Sequence, residues 1–379
     1  MIRGTYEAVV AGAGPAGLAI AGALARKGLH VACCDPDPGR VWENNTCAWA
    51  DDIEPLGLAG HCGHIWPASR IIYGEKTSQL LDRGYAIFDN ESLKGRLLHP
   101  SVTTVQGRAV RVEHDRKGSD VVLEGGGRLR ADVVIDATGH AHALLEVARD
   151  ADSFQNVYGI LARVDRHPFD PGEMVLMDFR HKFLGSRKRP PTFLYAMPYD
   201  RELAFFEETS LADSPGVPFE ILQGRLYLRL ASLGIKVREV ESVEVGALPM
   251  NQAVPDLDQR VIGFGAAGGF VQPSTGWSVA HSLRTAGPLA DCISTALGEG
   301  KPPEKIARQA WRMIWTRPLL RMRAFHLRGG EFFGRIGIRT LSLFMRGFFN
   351  APGDMWRVYL SNDCTIAGIN RCFLPGGSR

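Results

Sequence analysis

The sequence predicts an α/β protein in which a dinucleotide-binding sheet is interrupted by a mostly β second domain and followed by a helical C-terminal region. Three observations predict it. The chain opens as strand, turn, helix and strand, with Gly12-Ala13-Gly14-Pro15-Ala16-Gly17 in the turn. Buried-strand patterns followed by glycine turns return at 132–139 and 260–276, and strand patterns dominate the long stretch between them. From residue 301 onward the apolar spacing is helical.

Taken in order, YEAVVA at 6–11 is a short buried strand, 14–27 an alanine-rich helix and LHVACC at 29–34 a second strand. Residues 40–100 hold no single period and include a Pro/His/Gly-rich stretch from Pro55 to Pro67, so loops and insertions are expected there. Residues 103–123 alternate as a hairpin, Gly125-Gly126-Gly127 turns the chain, and DVVID at 132–136 is a buried strand before Ala137-Thr138-Gly139. Strands fill 154–245 apart from a helix near 217–233. RVIGFG at 260–265 is a further buried strand, and a glycine-rich turn then leads to a long helix near 276–296. This assigns 1–40, 100–150 and 255–300 to the Rossmann-like dinucleotide domain, 41–99 and 151–254 to an inserted substrate domain, and 301–379 to a helical region.

Composition excludes several classes. With 379 residues, 45% hydrophobic and 22% charged, the chain is too apolar for disorder. Its seven cysteines form no CxxC pair, and adjacent Cys33-Cys34 suit a buried strand, so a reducing compartment is expected. The first strand begins within a few residues of Met1 with no signal-peptide pattern, and no apolar run reaches the ~18 residues of a bilayer-spanning helix. His61-Cys62-Gly63-His64 lacks the further ligands of a structural zinc, so no metal is expected.

Charge is unevenly spread. Residues 301–350 carry eleven Lys/Arg against Glu304 and Glu331, a net +9, whereas the whole chain is +3. Phe333, Ile336, Leu341, Phe344, Met345 and Phe348 at helical spacing, with Arg335, Arg339 and Arg346 offset from them, predict a basic amphipathic helix over 332–349. Such a helix suits peripheral contact with a lipid headgroup layer. Nucleic acid is not expected, because the basic excess accompanies no recognition motif.

The Gly12–Gly17 motif has a physical logic. Gly12 permits the tight turn, Gly14 lets backbone approach a pyrophosphate, Gly17 lets helix and strand pack, and the helix N-terminus offers free N–H groups to the anion. Asp35, closing the second strand, is placed for a ribose and argues against a 2′-phosphate. The expected cofactor-binding residues are Gly12, Ala13, Gly14, Pro15, Ala16, Gly17 and Asp35, joined by Val110 on the hairpin and by Gly265 and Gly276 in the second glycine-rich turn.

Together with Asp136-Ala137-Thr138-Gly139 and IGFGAAGGFVQPSTG at 262–276, this motif resembles the glutathione-reductase-type FAD fold of flavin hydroxylases. A narrower resemblance covers most of the chain. It is carried by Trp42-Glu43-Asn44-Asn45 with Trp49 and Asp51-Asp52, YGILARVDRHPFD at 158–170, Met177-Asp178, PTFLYAMP at 191–198, FFEETSL at 205–211 and the segment 254–283. These stretches are similar to the plant- and bacterial-type lycopene cyclase family. The most specific, Phe205-Phe206-Glu207-Glu208-Thr209, is close to the family's Phe-Leu-Glu-Glu-Thr box. Asn44-Asn45-Thr46-Cys47-Ala48-Trp49 stands where the family often has Asn-Asn-Tyr-Gly-Val-Trp.

The resemblance implies an isomerase that uses reduced FAD without net redox, with NAD(P)H as reductant, to close a β-ionone-type ring on a hydrophobic linear isoprenoid, lycopene foremost. It also implies a cytoplasmic enzyme held peripherally at the inner face of a membrane, and it points to Glu207 as proton donor. Alternatives sharing the fold are a cyclase of non-carotenoid polyprenyl chains, a flavin-dependent monooxygenase or polyprenyl reductase, and a non-catalytic membrane-held flavoprotein.

Ring closure begins with protonation of an unactivated C=C. An alkene is a very weak base, so the donor must be a neutral acid in a water-poor site, where desolvation keeps a carboxyl protonated. On the strand Leu203–Thr209, Phe205, Glu207 and Thr209 share one face while Phe206 and Glu208 share the other, so only one carboxylate readily meets a tunnel. Glu207 is expected there, with Glu208 supporting structure or adjusting acidity. Trp42, Trp49, Phe193, Tyr195 and Trp277 are candidates to stabilise the cation through their ring faces. A reduced flavin would add negative potential, and the final proton would leave to it or to a carboxylate, with Asp178 as the second candidate base.

Overall fold

A computed structural model describes residues 3–185, 190–352 and 355–372, with the side chains of 331, 332, 334 and 335 outside that description. Its first sheet runs in the order Val102–Gln106, Val31–Asp35, Arg3–Ala11, Arg128–Asp136, Ser119–Leu123, Ala109–His114, with the two-residue strand Ile262–Gly263 beside Arg128–Asp136. The first four strands are parallel and the last two form an antiparallel hairpin. Ala8–Ala11 and Val31–Cys34 are buried because they lie mid-sheet under helices, which is why they form unbroken apolar runs. Helices Pro15–Arg26 and Val279–Gly298 pack on each other through alanine-rich faces.

The second sheet runs Val237–Pro249, Phe154–Val164, Leu203–Ser210, Thr192–Pro198, Glu173–Asp178, Ala68–Gly74, Thr77–Leu81. Helix Phe219–Ser232 covers one face, burying Leu222, Leu226 and Leu230 against Ile160 and Phe206. The other face is turned towards the cavities described below. A third, three-stranded sheet pairs Tyr85–Phe88 with Cys47–Trp49 and Cys62–Trp66.

Four sequence expectations are corrected. Residues 40–100 contain five strands and the helix Asn90–Leu97, not chiefly loops. These strands are short and some alternate polar with apolar residues, so no single period emerges, yet Ala68–Gly74 sits inside the second sheet with Ser69, Ile71 and Tyr73 inward. Val102–Gln106 pairs in parallel with Val31–Asp35 and is not part of the hairpin. The strand expected over 260–265 is only Ile262–Gly263. The single amphipathic helix over 332–349 is instead two helices, Arg317–Arg335 and Ile338–Phe349, broken where Ile336 and Gly337 are extended (ψ 154 and 157). Ile338, Leu341 and Phe349 are buried on the protein's own core, whereas Arg339 and Arg346 are exposed; the Arg335 side chain lies outside the described residues. Among the described residues, no helix is long and apolar enough to cross a membrane.

One basic residue of this region has an internal task. Buried Arg323 donates from Nη1 to the carbonyls of Gly269 (2.9 Å) and Val271 (2.8 Å), and from Nη2 to that of Gln252 (2.7 Å). It thereby ties helix Arg317–Arg335 to the second glycine-rich turn.

Candidate active site

The first turn is shaped by close approaches. Gly12 has φ +103, and a Cβ there would meet the Ala137 carbonyl oxygen at 2.4 Å; a Cβ on Gly17 would lie 1.9 Å from the Gly12 oxygen. Both positions require glycine for packing. Gly14 is different: a Cβ there would meet nothing within 4 Å, and the residue lines an open cavity. Helix Pro15–Arg26 begins at Gly14 with no side-chain cap and no acidic residue in its first turn, so its N–H groups remain available to an anion. Asp35 accepts hydrogen bonds from the N–H groups of Ala13 and Asp37 (each 2.9 Å), and Trp42 Nε1 donates to the Ala13 carbonyl (3.2 Å).

The second turn closes over the first. Gly265 (φ +65) has Ala16 so near that a Cβ would fall 2.5 Å from the Ala16 methyl, and Gly276 (φ +77) lines the cavity beside Leu248. Val110 stands apart from this group, 42% exposed on the hairpin and off the cavity wall, because the strand Ala109–His114 forms the far edge of the sheet.

Two cavities meet here. One, of about 650 Å³, extends from Gly14 and Pro15 to Glu207, Thr209 and Glu244. The other, of about 620 Å³, is walled by apolar side chains such as Leu176, Met177, Phe193, Phe333 and Phe348. Gln155, Tyr195, Thr275 and Trp277 belong to both walls. Of the expected cation-facing aromatics, Trp42, Phe193, Tyr195 and Trp277 therefore line a cavity. Trp49 does not. It is buried behind Trp277, edge-on to it at 5.2 Å, with the Arg83 guanidinium 4.4 Å above its ring.

Glu207 projects into the first cavity from the strand Leu203–Ser210, where Tyr195 is its neighbour on one side and Gly159 on the other. Thr209 Oγ1 donates to Glu207 Oε1 (2.7 Å). Burial pushes the Glu207 carboxyl up to about 8, and the charge of Glu244 adds to the rise against the opposing Thr209 hydrogen bond. At neutral pH this is an acid with its proton on, next to an apolar chamber.

The sequence model of the family described as lycopene cyclase protein matches residues 7–372. The chain belongs to the lycopene cyclase family. The lycopene beta cyclase of Synechococcus elongatus is 36% identical to it over 379 residues, 97% of this chain and 92% of the relative. The fold is shared with a geranylgeranyl bacteriochlorophyll reductase-like protein from Thermoplasma acidophilum (TM-score 0.71, 15% identity, 98% of this chain and 96% of that one). It is also shared with the flavin-dependent brominase Bmp2 (TM-score 0.65, 15% identity, 95% and 94%).

In this lycopene cyclase family member the other two expected carboxylates lie off both cavities. Glu208, on the opposite face of its strand, is fully buried and paired with buried Arg229 (2.7 and 2.8 Å) and with Thr192 Oγ1 (2.6 Å). Its role is structural. Glu208→Ala strands the Arg229 charge and is expected to lower stability by about 3–5 kcal/mol, read by denaturant unfolding. Asp178, also fully buried, is engaged by Arg180 Nε (3.0 Å to each oxygen) and accepts from the Arg180 N–H (2.9 Å). A carboxylate so occupied, and on neither cavity wall, cannot reach a substrate proton; the expectation of a base at Asp178 is corrected on that ground.

Besides the exposed Glu43, the carboxylate that shares the cavity with Glu207 is Glu244, which sequence reasoning passed over. It lies on the edge strand Val237–Pro249, where Val243 and Val245 are 54% and 42% exposed while Glu244 turns inward and accepts from the Asn45 N–H (3.1 Å). The strand is inverted relative to ordinary burial, with valines out and an acid in. Its charged neighbours Glu239 and Glu241, both exposed, give no signal that sets Glu244 apart.

Proposed function

We propose that this protein is a non-redox, flavin-dependent cyclase that protonates a terminal C=C of a linear isoprenoid, lycopene foremost, and closes a β-ionone-type ring. The observation that carries the proposal is Glu207: a carboxyl held protonated by burial, facing a cavity that opens past Tyr195 and Trp277 into an apolar chamber. With Oε1 accepting from Thr209, Oε2 is left to carry the proton to the alkene. The chamber walls exclude water from the tertiary cation that results, and the faces of Tyr195 and Trp277 attract it.

FAD fits the first cavity. Gly14 is a glycine the fold does not need but an approaching pyrophosphate does, Asp35 closes the second strand where the motif carries its ribose-binding acid, and Gly276, Trp277 and Ser278 bring the start of helix Val279–Gly298 to the same cavity. Bound and reduced, the flavin supplies negative potential where positive charge develops. In this reading the first sheet with its helices is the flavin domain, the second sheet the substrate domain, and NAD(P)H the reductant.

Peripheral membrane contact on the cytoplasmic side belongs to the same reading. Phe325 (53% exposed) and Phe344 (44%) line the apolar chamber from outside, and exposed Leu343, Arg321, Arg328, Arg339 and Arg346 belong to the same two helices. Apolar and basic groups together suit a headgroup layer from which a lipid-dissolved substrate is drawn.

The test is anaerobic incubation of the reduced flavoprotein with lycopene and shorter linear polyprenyl compounds. A cyclised product of unchanged mass, formed without stoichiometric NAD(P)H consumption, is expected. Product whose mass differs by hydrogen or oxygen, formed with one NAD(P)H each, would establish the reductase or monooxygenase alternative.

A further inference from the structure

We infer that Glu244 is the base that removes the ring proton, so that Glu207 and Glu244 act as an acid–base pair across one cavity. The inference rests on the cyclase function proposed above and goes beyond it by naming where the proton leaves.

The geometry comes from strand register. On the strand Phe154–Val164, Gly159 is directly opposite Glu207 on one side and directly opposite Glu244 on the other. Residues paired in this way point to the same face of a sheet, so the two carboxyls and Gly159 form one row. Gly159 has no side chain of its own between them, and the Phe205 ring lies over it instead, 2.4 Å from where a Cβ would stand, as an apolar floor between the two carboxyls. Two strand spacings put the glutamate Cα atoms about 10 Å apart. Both side chains line the same cavity.

The two carboxyls are prepared differently. Glu207 accepts one hydroxyl hydrogen bond and is kept neutral by burial. Glu244 accepts the Asn45 backbone N–H, which favours its anion and opposes the upward push of burial. Of the other titratable groups around the pair, Cys47, Tyr85, Tyr195 and Tyr199 are raised by burial and supply no anion, while Glu43 and His140, which also line the cavity, are exposed to solvent.

The step balances. The Glu207 O–H bond breaks as a C–H bond forms on the terminal alkene carbon. The internal double bond attacks the resulting cation to close the ring. A C–H bond beside the new cationic centre then breaks, its electron pair becomes the ring C=C, and the proton passes to a Glu244 oxygen. No electrons are gained or lost, and a return of the proton from Glu244 to Glu207 resets the pair.

The experiment is product analysis of Glu244→Gln and Glu244→Asp, as reduced holoenzymes given lycopene, with ring type and mass resolved. In Glu244→Gln, β-ring output is expected to fall about 100-fold. Cyclised material should be diverted to isomers with the double bond elsewhere or to a ring that has captured water, while Glu244→Asp should retain the β-ring. Undiminished β-ring output from Glu244→Gln overturns the inference. Loss of all cyclised material with nothing diverted does so too, since that is the signature of a merely structural role. A wild-type enzyme that makes no ring at all refutes the proposed function instead.

Discussion

Glu207→Gln abolishes ring closure while fold and flavin content stay unchanged. The amide keeps the oxygen that accepts from Thr209 and keeps the volume, but it has no acidic proton to give. General-acid removal is worth about 10²–10⁴-fold, and an alkene leaves no weaker donor able to substitute, so turnover should fall by at least that much. Wild-type activity should also depend on pH in a definite sense. Only the protonated carboxyl is competent as the acid, so from neutral pH the rate is flat up to the carboxyl's value of about 8. Above it the rate declines about tenfold per pH unit, because each unit removes a further tenfold of the acid form. Steady-state rates from neutral to alkaline pH check this. A rate that rises through that range, or an active Glu207→Gln variant, refutes the assigned acid.

Gly14→Val is expected to empty the nucleotide site without unfolding the protein. Gly14 has φ −73 and ψ 179, a conformation open to a β-branched residue, and its missing Cβ faces free space. The cost to stability should stay within about 0.5 kcal/mol, as at other positions where nothing is displaced. The added side chain would occupy the line along which a pyrophosphate approaches backbone N–H groups, so flavin absorbance should be lost from the purified protein. Gly17→Val makes the contrast: its Cβ would meet the Gly12 oxygen at 1.9 Å, so the fold itself suffers. Full flavin content in a folded Gly14→Val protein would show that the cofactor does not lie on this turn.

The parts legible in the sequence are those whose residues act locally. Gly12–Gly17 announces its turn because Gly12 and Gly17 answer contacts within a few residues or with the neighbouring strand, and the alternation around Glu207 fixes which carboxyl shares a face with Phe205 and Thr209. What stayed hidden depends on partners distant in sequence. Ala68–Gly74 is joined to the body of its sheet through Glu173–Asp178, some hundred residues later, and its own polar positions gave no period to find. Glu244 turns inward in step with Gly246 and Leu248, opposite Gly159 on a strand distant in sequence, and the bulges beyond it, between Leu161 and Ala162 and between Arg163 and Val164, keep that alternation from running through to Val237. Asp178 carried the right chemistry for a base, but Arg180, two residues on, takes its oxygens.

The shared wall at Tyr195 and Trp277 divides the work of the two cavities, with Glu207 and Glu244 on one side only and an apolar sleeve on the other. A long symmetrical polyene threaded through such a one-ended vessel presents a single terminus to Glu207 while its other terminus points away. Finishing both ends therefore takes two visits, with release and reversal between them, and a singly ringed compound should accumulate whenever substrate is abundant.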